Sequence, residues 1–252
     1  MPEGLSAALA TPGAAWLAFT IAIAGIVRGF TGFGTALIFV PVAGLFLPPA
    51  EIVLVITLTG VASTAALLPR AWGEADRGEV GLLALAAALT VPAGVWALGA
   101  VPETALRWIV TGVAAATLAA VATGWRYHAR LRAPGLAAIG GAAGVVGGMT
   151  GLTGPVVILF YLASTRAARA VRANTILFLA ILDVVIVANL ALRGLGGGAA
   201  TVWLAGLLAL PYFATTLLGQ RLFDPERERL YRRAAYGVIA LAVITGAPVF
   251  DG

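Results

Sequence analysis

Arg28, Thr31, Gly32, Gly34 and Thr35 stand close together in the run Arg28–Pro41, RGFTGFGTALIFVP. A second run, GGMTGLTGPVVILF from Gly147 to Phe160, offers Thr150, Gly151, Thr153 and Gly154. Such residues can hold a small oxyanion. Glycine lets a ligand approach the backbone closely, and threonine supplies hydroxyl donors. A helix restarting after a break turns its positive N-terminal end toward an anion. Pro155 suits the first turn of such a helix. Arg28 adds a planar guanidinium, matched to sulfonate, sulfite or carboxylate. Further along, Asp183 sits midway in the apolar run FLAILDVVIVANL, where it could take up a proton, pair with Arg28, or form an interhelical hydrogen bond. Asn174, near a basic loop, could reach a ligand. Asn189 lies on the same apolar stretch, off Asp183's face. Thr57, Thr59, Ser63 and Thr64 are weaker candidates, because Thr and Ser often bond back to helix carbonyls. His128, the sole histidine, reads as a solvated loop residue.

The surroundings of these residues are apolar. Of 252 residues, 61% are hydrophobic, 11% are charged and 32 are glycine, with mean hydropathy +1.00. Soluble domains carry about 25% charged residues, so this chain cannot coat itself for water. It reads as an all-α polytopic membrane protein with a single membrane domain. The net charge of +5 comes from sixteen Arg and no Lys, and the arginines lie mostly in short loops, which points to membrane orientation rather than nucleic acid. Met1–Gly13 holds no basic residue, so the N-terminus reads as mature sequence rather than a cleavable signal. With no Cys, thiolate chemistry is excluded.

A spanning helix needs about 20 apolar residues. Ala50–Pro69, Glu79–Ala100, Glu103–Trp125, Val171–Leu192, Ala199–Gln220 and Tyr231–Phe250 fit this simply. Ala14–Leu47 and Gly135–Ala163 are longer, and glycines interrupt both. The two interrupted stretches also match each other. At an offset of 119, Gly25 meets Gly144, Gly29 meets Gly148, Thr31 meets Thr150, Gly32 meets Gly151 and Pro92 meets Pro211. The pair Pro102-Glu103 answers Pro225-Glu226 with a small gap. The chain therefore reads as a duplication, with repeat 1 over about 14–125, repeat 2 over about 135–250, and a seam near Arg126–Pro134.

Arginine positions choose between two topologies. Eight single crossings leave six loop arginines on one face and nine on the other. If each glycine-broken stretch instead enters and leaves by one face, thirteen lie on that side and two, Arg107 and Arg193, opposite. The positive-inside rule favours the second arrangement. Each repeat is then a re-entrant hairpin, with arms of about 14 to 17 residues or about 21–25 Å, plus three transmembrane helices. Three is odd, so the repeats are inverted and both termini face the periplasm of a bacterial inner membrane. Inverted repeats with discontinuous helices recur in secondary transporters, with substrate near the midplane.

With RGFTGFGTALIFVP, its echo GGMTGLTGPVVILF and four elements per repeat, nearly the whole chain resembles the sulfite exporter TauE/SafE family. The resemblance implies transport of sulfur-containing oxyanions and organosulfonates, or related small organic anions. Thr153 and Pro155 depart from the glycine-dense second motif, and Gly147 stands where Arg28 would have a basic counterpart, so the site is asymmetric. The reading is a secondary transporter, an exporter by the family's name, with substrate between the two tips. Its ligands are Arg28, Thr31, Gly32, Gly34, Thr35, Thr150, Gly151, Thr153, Gly154 and Asn174, and Asp183 is the candidate for coupling to a proton or sodium. A passive channel, or a carrier of carboxylates, is the alternative. No enzyme is expected: the only histidine is in a loop, there is no His-Glu-x-x-His metal motif, and Asp183 has no membrane carboxylate to pair with. No cofactor, metal or nucleic acid is expected, and without a phosphate-binding Lys loop any energy comes from gradients or a partner.

Overall fold

The apolar runs leave their backbone groups no water to bond, so they satisfy them internally as helices. A computed structural model describes residues 3–31, 33–65, 68–123, 132–162, 168–222 and 228–250, and among these there is no strand. The first half holds α1 (Glu3–Leu9), α2 (Ala14–Thr31), α3 (Thr35–Ala43), α4 (Pro49–Ala65), α5 (Leu68–Glu74), α6 (Arg77–Ala100) and α7 (Glu103–Ala122). The second holds α8 (Ala133–Thr150), α9 (Pro155–Leu162), α10 (Ala168–Leu192), α11 (Ala199–Leu222) and α12 (Glu228–Gly246). Five of these helices are long and apolar enough to cross a membrane, or six if the bent pair α1–α2 is one span. This is an all-helical multi-pass membrane protein.

Two details differ from the sequence reading. Over the expected segment Ala50–Pro69 the described residues form α4, up to Ala65, and α5, from Leu68; α1 is an additional element before the first broken stretch. The hairpin arms are also unequal: α2 and α8 have 18 residues each, while α3 and α9 have 9 and 8. The long arms reach about 27 Å at 1.5 Å per residue. They stay regular so far because glycines bind each of them to a helix of the other half.

At Gly29 of α2 an added Cβ would lie 2.6 Å from the Thr216 carbonyl oxygen and 2.7 Å from the backbone of Gln220 and Gly219. At Gly148 of α8 it would lie 2.9 Å from the Val91 carbonyl oxygen and 3.2 Å from the Val95 nitrogen. Gly25 with Gly29, and Gly144 with Gly148, are therefore small-xxx-small faces that let α2 touch α11 and α8 touch α6 backbone to backbone. The pairing crosses the halves both times. The same exchange holds for the short arms, since α3 packs on α12 and α9 on α7. Thr215 and Gly219 face Gly25 and Gly29 as Thr90 and Gly94 face Gly144 and Gly148. In that register Pro92 corresponds to Leu217. Pro211, which the sequence match had placed there, lies nearly two turns earlier.

Contacts at the helix ends give the direction of each element. Arg169 at the start of α10 donates to Glu74 at the end of α5, at 2.6 Å. The Asn174 side chain accepts from the Asp76 N–H at 2.8 Å, just before α6. Gly140 packs on Leu83 and Gly144 on Ala87, so α8 runs parallel to α6 and begins at the same end. Thus α8 starts, and α10 starts, at one end of the bundle; the pair α8–α9 enters and returns there. At the other end Gly13 packs on Phe46, Gly246 on Pro41 and Gly4 on Trp203. The pair α2–α3 enters and returns at that end. Arg77, Arg132, Arg169, Arg172, Arg221 and Arg233 lie at the first end, the basic face, whereas Arg107 and Arg193 lie at the second. Both described chain ends also lie at the second. Trp16, Trp96, Trp108 and Trp203 are exposed at that level, as membrane-interface tryptophans are.

Candidate functional site

A glycine at positive φ stands in each break. Gly151 caps α8 in the left-handed region at φ 74, its N–H donating to the Gly147 carbonyl at 2.8 Å. Gly34 opens α3 at φ 98. A side chain is strained in either conformation, so the chain reverses here only because these residues are glycine. Each short arm then starts afresh. The Ile38 N–H donates to the Gly34 carbonyl at 3.2 Å, and the Ile158 N–H to the Gly154 carbonyl at 2.9 Å. The first-turn N–H groups of α3 and α9 have no acceptor within their own helices, and both helix starts face one cavity between the tips. Pro155 occupies the first position of α9, where its missing N–H costs nothing.

The cavity is lined by Gly34 and Thr35 from the first tip and by Gly151, Thr153 and Gly154 from the second. Arg28 reaches it from α2, Thr57 and Gly60 from α4, Asp183 from α10 and Tyr212 from α11. Its volume is about 30 Å³. One water needs about 10–15 Å³ on that scale, so the cavity has room for about two or three waters. Arg28, Thr35, Thr153 and Asp183 are all buried. The Arg28 guanidinium donates to the Thr64 hydroxyl at 3.2 Å. The Thr153 hydroxyl and the charge of Arg28 both act on the Asp183 carboxylate. Asp183 packs directly against Gly60, where any side chain would collide with it. Thr35 and Tyr212 share a hydrogen bond of 2.8 Å between their hydroxyls.

Of the residues singled out from sequence, Arg28, Gly34, Thr35, Gly151, Thr153, Gly154 and Asp183 therefore meet around one cavity. Gly32 lies outside the described residues, as does the side chain of Thr31. Two others stand elsewhere. Thr150 donates to the Val146 carbonyl at 2.7 Å and lines a separate, apolar cavity beside Arg107. Asn174 is fully buried near the basic face, where it accepts from the Asp76 N–H and donates to Glu79 at 3.2 Å. Both of its polar atoms are engaged in joining α10 to α6. Its position near the helix start, about six residues into α10, placed it too far from the tips to reach them.

Two restarted helices facing one cavity within a multi-pass bundle are a plan that recurs in secondary transporters. The family comparison agrees: residues 17–245 match the model described as Sulfite exporter TauE/SafE. The chain belongs to the sulfite exporter TauE/SafE family. It is thus a member of a family of membrane transporters, not enzymes, named for sulfite export. No curated protein and no solved structure matches it.

Reading the sequence missed Tyr212 and Gly60 in this TauE/SafE protein. Tyr212 had a signal, a phenol in the middle of an apolar helix, which when buried usually finds a partner. Gly60 had none, because its value lies in the space it leaves for Asp183. Thr64 gained a role only when the fold set it against Arg28. Thr57 and Thr59 follow the bland expectation, donating to the Val53 carbonyl at 2.6 Å and the Val55 carbonyl at 2.9 Å.

Proposed function

We propose that this protein is a secondary transporter that exports sulfite and small organosulfonates, binding them between the two hairpin tips. The observation that carries the reading is the convergence of two helix N-termini and the buried Arg28 on one cavity that also holds Asp183. The N-termini and the guanidinium supply donors and positive potential where an oxyanion's charge would sit. Gly34, Thr35, Gly151, Thr153 and Gly154 line the path of approach, with Thr31 and Gly32 beside them in sequence. Asp183, beside Thr153 and within the field of Arg28, is the candidate for proton coupling: an entering anion competes with it for the same cation. Because the cavity is small, the reading includes alternating access rather than an open pore. With the basic face toward the cytoplasm, the termini face the periplasm of a bacterial inner membrane.

The test is a binding and flux screen on purified protein. Sulfite, methanesulfonate, sulfate and acetate are compared by thermal stabilisation in detergent and by counterflow in proteoliposomes. Sulfite and methanesulfonate should stabilise the protein and exchange across the bilayer, with acetate well behind. Equal flux of all four without saturation would instead make it a passive anion pore. Preference for acetate would make it a carboxylate carrier.

A further inference from the structure

Resting on that reading of the site, we infer that Tyr212 positions the Thr35 hydroxyl as an anion donor, so that the first tip, not the second, grips the oxyanion. A threonine hydroxyl has a single proton to donate. Three described threonines line the cavity: Thr35, Thr57 and Thr153. Thr57 spends its proton on the Val53 carbonyl at 2.6 Å. Thr153 is engaged with the Asp183 carboxylate. Thr35 differs because it is the first residue of α3. Among the described residues its hydroxyl is paired with the Tyr212 hydroxyl at 2.8 Å.

Either oxygen of that pair can donate. An anion in the cavity selects one direction: Tyr212 donates to Thr35, and Thr35 donates to the anion. Each bond in such a chain polarises the next. Tyr212 is only 1% exposed, so its phenol has little water with which to bond instead.

The other half of the molecule carries no such pair. In the packing register of the glycine crossings Tyr212 corresponds to Ala87, and in the register of the broken stretches Thr35 corresponds to Gly154. Both hydroxyls are missing there. The second tip faces Asp183 through Thr153, and a carboxylate repels an oxyanion. The two tips are opposite in side-chain chemistry. Arg28 and the Tyr212–Thr35 pair attract at the first, and Asp183 opposes at the second.

The test uses the whole protein in detergent, with sulfite under anaerobic conditions as the probe. Binding is measured for wild type, Tyr212→Phe, Thr35→Val, the double variant, Thr35→Ser and Arg28→Gln, alongside the melting midpoint of each without ligand. Tyr212→Phe and Thr35→Val should each weaken sulfite binding about tenfold. The double variant should lose no more than Thr35→Val alone, because the two hydroxyls act as one chain. Thr35→Ser should bind like wild type, and ligand-free melting should stay within a few degrees throughout. Wild-type affinity in Thr35→Val, or fully additive losses in the double variant, would overturn the assignment. Arg28→Gln separates the two levels. If it loses binding while Thr35→Val does not, the Tyr212 role falls and the site stands. If sulfite binding survives Arg28→Gln, or is absent from wild type, the site reading falls and takes this inference with it.

Discussion

Replacing Gly29 with alanine tests whether the cross-half glycine contacts hold the broken helices in place. The added methyl would sit 2.6 Å from the Thr216 carbonyl oxygen and 2.7 Å from two backbone atoms of Gln220 and Gly219. Ordinary contact begins near 3.4 Å. All three neighbours are backbone, so none can swing aside; α2 and α11 must separate by several tenths of an ångström along their crossing. Overpacking of this kind costs about 1–3 kcal/mol. Alanine recovers up to about 1 kcal/mol of helix propensity over glycine, leaving a net loss of about 0–2 kcal/mol when that gain is realised in full. Gly112 of α7 is the control, because nothing lies within 4 Å of its added Cβ. There the propensity gain stands alone, and Gly112→Ala should be neutral or stabilising. Gly219→Ala meets the Ile26 carbonyl oxygen in the same crossing at 2.5 Å. Once one methyl has forced the helices apart, the second costs less, so the double variant should lose less than the two singles together. The assay is the apparent melting midpoint in one detergent at one scan rate, with fluorescence-detected gel filtration to confirm monodisperse protein. A Gly29→Ala variant that melts with or above Gly112→Ala would show that α2 and α11 do not touch as described, and the packing between the halves would have to be redrawn.

Asp183→Asn preserves shape and removes the titratable group, so sulfite counterflow should persist while flux driven by a proton gradient is lost; unchanged gradient dependence would dismiss Asp183 as the coupling residue. Asn174→Ala removes a fully buried amide with two hydrogen bonds to the start of α6, and should cost about 2–4 kcal/mol of stability with little change in sulfite affinity. A variant that folds normally but loses sulfite would return Asn174 to the site. In the cysteine-free background, Arg77→Cys and Arg169→Cys should react with a membrane-impermeant maleimide from the same side and Arg193→Cys from the other. Labelling of Arg77→Cys and Arg169→Cys from opposite sides would refute the paired hairpins.

Much of this architecture was legible in the chain. Apolar runs of spanning length imply helices because the bilayer offers the backbone no other partner. The arginines divided thirteen to two only when both broken stretches were folded back, and the contacts at the helix ends run in that same sense. Charge obeys a rule tied to the membrane faces, so loop position alone carries the information. The tip glycines were legible for a similar local reason: a backbone reversal at positive φ needs no distant residue to explain it.

What sequence left open depends on distance across the fold. Asn174 and Thr150 have suitable chemistry, yet their polar atoms are spent on Asp76, Glu79 and the Val146 carbonyl. Hydrogen-bond capacity is finite, and sequence cannot say where it is used. Gly60 and Tyr212 entered the site through what faces them, Asp183 and Thr35. By itself, then, the sequence determined a helical membrane protein, broken twice at glycines, with one cation beside the first break. Only the tertiary structure decided that each broken helix docks on the other half. Backbone-to-backbone contact between α2 and α11, and between α6 and α8, requires two glycine faces to meet in register. That meeting brings both tips, Arg28 and Asp183 to a single cavity.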